Sequence, residues 1–114
     1  MLTTALLIFA VAALGGMILA TSVLRGRLAP WALSAAHALL GATGLVLLIM
    51  ITLQGAGTAR VTAALGVLVV AALGGFYLAS IHLRGKLAPK GVVFVHAGVA
   101  VAGFLTLLSA VLAA

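Results

Sequence analysis

The 114-residue sequence contains no aspartate, no glutamate and no cysteine. Without a side-chain carboxylate there is no acidic proton relay and no acidic cation site. Nor is there a Ser-His-Asp constellation for hydrolysis. Without cysteine there is no disulfide, thiolate metal site, iron–sulfur cluster or covalent c-type haem attachment. Charged residues make up only 5% of the chain, too few to cover a soluble domain. Proline occurs twice, tryptophan once and tyrosine once.

What is present is apolar. Hydrophobic residues form 67% of the chain, and the mean hydropathy is +1.50. They fall in four continuous runs, at about 2–24, 31–53, 61–83 and 91–113. Each run is long enough to cross a hydrocarbon core of about 30 Å as a helix rising about 1.5 Å per residue. Continuous runs favour helices over a barrel, because a helix satisfies its own backbone in lipid. The sequence therefore predicts an all-α integral membrane four-helix bundle, a single transmembrane domain over 1–114. The N-terminal run lacks a basic residue before Arg25 and is too long for the apolar core of a signal peptide.

The net charge of +6 is read as topology rather than as a nucleic-acid surface. Arg25, Arg27, Arg84, Lys86 and Lys90 lie in or beside two short loops, and only Arg60 lies at the other end. By the positive-inside bias these loops, 25–30 and 84–90, face the cytoplasm of a bacterial-type inner membrane, with both termini opposite.

The two loops are copies. "LRGRLAP" from Leu24 returns as "LRGKLAP" from Leu83, and "VAALGG" from Val11 returns from Val70. At an offset of 59, 22 of the 55 aligned pairs are identical, including His37 with His96 and Gly44 with Gly103. The chain is thus an internal duplication of a two-helix hairpin, repeat 1 over 1–55 and repeat 2 over 60–114. Each unit crosses the membrane twice, so the copies are parallel and related by an axis along the membrane normal. In each loop the glycine ends a helix, and Pro30 or Pro89 suits the first turn of the next. Small residues recur at Ala12, Gly16 and Ala20, and again at Ala71, Gly75 and Ala79. They suit close helix packing, or clearance for a flat cofactor.

Three histidines remain. His37 and His96 are symmetry mates, about 9–10 Å inside the loop edge on the second and fourth helices. Those helices lie on a diagonal of an antiparallel bundle, so the two imidazoles can face each other. Paired neutral imidazoles are the ligand set of a bis-histidine haem iron. Gly41 and Gly44, with Ala100 and Gly103 in the second repeat, are small neighbours at i+4 and i+7 that would flank a macrocycle. Arg25 and Arg84 would meet its propionates. The competing reading is interhelical hydrogen bonding by each histidine, and a third is another metal or ligand. His82 has no mate, since Val23 occupies its position. It reads as an interfacial histidine, or as a contact to a propionate or a quinone headgroup. Met17 and Met50 read as packing.

This layout of bundle, paired histidines and flanking glycines resembles small four-helix b-type cytochromes of the cytochrome b561 kind. It also resembles short uncharacterised bacterial membrane proteins built from duplicated hairpins. The first resemblance implies non-covalent haem b held by His37 and His96, and electron relay within the bilayer. Quinone or a larger redox membrane complex is the implied partner class. Such cytochromes often hold two haems with four histidines, whereas three histidines allow one bis-histidine site here. The alternative function is a non-catalytic accessory subunit of a larger membrane complex, in homo- or hetero-oligomeric contact through its small-residue faces. No residue is assigned a catalytic role.

Overall fold

The computed structural model describes all 114 residues, Met1–Ala114. It contains four helices: α1 Leu2–Leu24, α2 Trp31–Leu53, α3 Ala59–Leu83 and α4 Lys90–Leu112. Each is apolar enough to span a bilayer, with mean hydropathy of 2.1–2.3 in its most apolar stretch. The bundle measures 43 × 21 × 19 Å, which exceeds a hydrocarbon core of about 30 Å. Its outer surface is apolar, with Leu14, Met17, Leu39, Phe76, Phe94 and Val95 all exposed. A lipid-facing surface requires that pattern, because the solvent around the helices is itself apolar.

The helix ends follow from a few residues. Gly26 and Gly85 have φ of 72° and 70°, which a side chain rarely tolerates. Each lets the chain fold back on its helix, Arg27 N–H donating to Ser22 O and Lys86 N–H to Ile81 O. These bonds satisfy carbonyls that the helix end leaves free. Pro30 and Pro89 stand at the N-cap, one residue before the expected first turn, with ψ of 136° and 130°. Their carbonyls accept the first bonds of α2 and α4 from Leu33 and Val92. The third helix starts two residues earlier than its apolar run, because the Thr58 side chain caps it by accepting from Val61 N–H.

Packing is closest within each hairpin, α1 on α2 and α3 on α4. The hairpins then meet through α2 against α3 and α1 against α4, leaving α1/α3 and α2/α4 as the diagonals. The core lies in the half of the bundle away from the repeated loops. Leu48, Leu107 and Val61 are fully buried there, beside Phe9 and Leu68. Phe9 and Leu68 are symmetry mates, and each drops into a glycine hole. A Cβ at Gly44 would stand 2.6 Å from Cζ of Phe9, and one at Gly103 would stand 2.7 Å from Cδ2 of Leu68. At the same end, Arg60 donates to Ser109 O at 3.2 Å and ties α3 to α4. The loop-side half holds the histidines.

Candidate functional site: a symmetric histidine pair

His37 and His96 meet across the α2/α4 diagonal. Their ring centroids are 6.4 Å apart, and their planes are inclined by 85°. Each ring is tied to the other helix of its own hairpin. His37 Nδ1 lies 2.8 Å from Ala12 O, and His96 Nδ1 lies 2.8 Å from Ala71 O. A carbonyl only accepts, so the N–H is on Nδ1 in both rings. In the neutral imidazole this leaves the lone pair on Nε2 of both residues.

Each ring is seated by a glycine. A Cβ at Gly16 would stand 2.9 Å from Cε1 of His37, and one at Gly75 would stand 3.1 Å from Cε1 of His96. A side chain at either position would crowd the imidazole, at Gly16 enough that the ring or the helix must shift. Ala12 and Ala71 are themselves buried. The repeated "VAALGG" segment therefore carries two parts of the site: the accepting carbonyl, and the glycine four residues on that admits the ring. The sequence shows this stripe as small residues suited to close packing, and the structure adds its pairing with the histidines. The available signal was that both copies lie 25 residues before their histidine.

The other expected site residues divide. Gly41 and Ala100 are half-buried beside the histidine pair on their helices, and nothing approaches the open side of Gly41 within 4 Å. Gly44 and Gly103 lie farther along and hold Phe9 and Leu68. Arg25 is exposed and lines a groove on the outer face of α1. Arg84 Nε donates to Ser80 O, on its own helix, at 3.3 Å. Neither arginine is gathered to the histidines.

His82 forms a separate contact. Its Nε2 donates to Ala29 O at 2.7 Å, and its ring meets Trp31 edge-on at a centroid distance of 5.4 Å. It joins the end of α3 to the first repeated loop. The other hairpin has no counterpart, since Val23 and Lys90 occupy the matching positions.

The chain matches no protein-family model, no curated protein and no solved structure.

Proposed function

We propose that the protein is a small membrane haem protein that relays single electrons within the bilayer. His37 and His96 would hold its iron through their Nε2 atoms. The observation that carries this reading is the pair of anchored imidazoles 6.4 Å apart. Two imidazole nitrogens held by one metal would set the ring centroids at most about 6.2 Å apart, given a metal–nitrogen bond of about 2.0 Å and about 1.1 Å from nitrogen to ring centre. The donor chemistry fits as well. A ligating imidazole usually gives its other N–H to a carbonyl or carboxylate, which fixes the ring and raises its basicity. Ala12 O and Ala71 O accept in that way, so Nε2 of each ring is available to a metal.

When bound, haem b supplies a one-electron couple, whose potential depends on ligand identity, burial and nearby charge. This chain would contribute imidazole nitrogens in apolar surroundings without an acidic side chain nearby. A quinone or a larger redox membrane complex is the class of donor and acceptor that such a buried relay would serve. Gly41 and Ala100 are the small neighbours best disposed to flank the macrocycle.

A second reading rests on the same hydrogen bonds. The histidines would clasp each hairpin of an accessory subunit, and the filling of Gly44 and Gly103 by Phe9 and Leu68 favours a tightly packed apo bundle. The visible spectrum separates the two. Protein purified after expression with ample haem should show a Soret band, sharp α and β bands on dithionite reduction, and one haem per chain. A colourless protein that also takes up no added haemin contradicts the haem reading and leaves the clasp.

A further inference from the structure

The groove on the outer face of α1 differs from its symmetry mate in ways that point to a ligand. Its membrane-deep part is lined by Leu14, Met17 and Ile18, and its loop end by Arg25 and Arg27. Met17 lies eight residues before Arg25, about 12 Å along the helix axis. Between them, the hydroxyls of Thr21 and Ser22 donate to Met17 O and Ile18 O of their own helix. The guanidinium groups are left as the donors facing an incoming group.

These arginines have no partner within the chain. No side-chain carboxylate exists to neutralise them, and the arginine side chains that do form hydrogen bonds are Arg60 and Arg84. In the second repeat the matching positions read Leu73, Phe76, Tyr77, Arg84 and Lys86. There two aromatic rings replace the slimmer Met17 and Ile18, Arg84 is held on its own helix, and Lys86 lacks the planar fork of Arg27. The first hairpin therefore combines two free guanidinium groups with slimmer side chains along this face, and the second does not.

We propose that this groove binds one anionic phospholipid. The phosphate would bridge Arg25 and Arg27 through charge-assisted hydrogen bonds, and an acyl chain would lie along Ile18, Met17 and Leu14. A soluble phosphate would use only the upper end and gain nothing from the apolar floor. The commitment to lipid rests on that pairing of free cations with an exposed apolar track at bilayer depth.

Native mass spectrometry of the detergent-solubilised protein tests this with phosphatidylglycerol and phosphatidylcholine as probes. The wild type should retain one phosphatidylglycerol in preference to phosphatidylcholine. The R25Q/R27Q pair should weaken that retention by about tenfold or more, since each juxtamembrane cation contributes substantially to anionic-lipid binding. The R84Q/K86Q pair should change it by less than about twofold. The M17F/I18Y pair copies the second repeat and keeps the net charge, and it should also lose the preference. Excess glycerol 1-phosphate should not displace the lipid. Equal losses from the two charge pairs would overturn the site in favour of diffuse attraction. So would an unaltered preference in M17F/I18Y, or full displacement by glycerol 1-phosphate.

Discussion

His37→Ala and His96→Ala should each abolish the low-spin spectrum of the proposed haem, whereas His82→Ala should leave it in place. The size of the effect follows from geometry. In the proposed site one iron would need both imidazoles, whereas the Nε2 of the third histidine is engaged with Ala29 O at the loop end. Stability responds on a different scale. Each histidine–carbonyl bond within the membrane contributes about 0.6–1.7 kcal/mol, so each alanine variant should lose about that much from the lost bond. Asparagine at position 37 or 96 separates the roles further, because an amide N–H can donate to the carbonyl but cannot replace the axial nitrogen. The expected outcome is partial recovery of thermal stability without recovery of the spectrum. Exogenous imidazole should restore low-spin haem to His37→Ala. Absorption spectra and thermal unfolding of the same preparations check both halves. Identical spectra in wild type and His37→Ala would refute the assignment.

Gly44→Leu should give a large loss of stability. A Cβ at Gly44 falls within 2.6–2.8 Å of three ring carbons of Phe9, which is itself buried in the core. Even a methyl group must displace that ring, and overpacking of this kind costs about 1–3 kcal/mol. Phe9→Ala alone leaves a void and also destabilises. Combined, the two changes exchange a knob for a hole, and the double variant should be more stable than the sum of the single losses predicts by about 1–3 kcal/mol. Reversible unfolding in mixed detergent micelles measures the cycle. Strict additivity would show that Phe9 and Gly44 do not couple.

Much of the fold was legible because lipid leaves the chain few options. Continuous apolar runs must be helices, short loops make their neighbours antiparallel, and the matched "LRGRLAP" and "LRGKLAP" make the hairpins copies. The helix limits follow the apolar runs to within a residue, except that Thr58 caps α3 and starts it two residues early. The depth and mutual approach of His37 and His96 were legible through the duplication, since equal positions in two repeats must lie at equal height. The identity of what touches each small residue was not. Spacing along α2 shows that Gly41 and Gly44 share a face, but it cannot show that Phe9 crosses from α1 into Gly44. It likewise cannot show that Gly16 is the position that seats His37. Those facts depend on the rotation of one helix against another, which a uniformly apolar sequence encodes weakly, because no polar face sets the orientation. His82 was legible as an interfacial residue, but its bond to Ala29 O depends on how the two hairpins dock.

The central claim is that His37 and His96 share one iron. Low-temperature electron paramagnetic resonance of the oxidised, haem-loaded protein tests it most directly. With ring planes 85° apart, the expected result is a single, strongly anisotropic low-spin ferric signal, one per chain, that disappears in His96→Ala. A high-spin signal in the wild type, or a low-spin signal that survives the loss of His96, would contradict it.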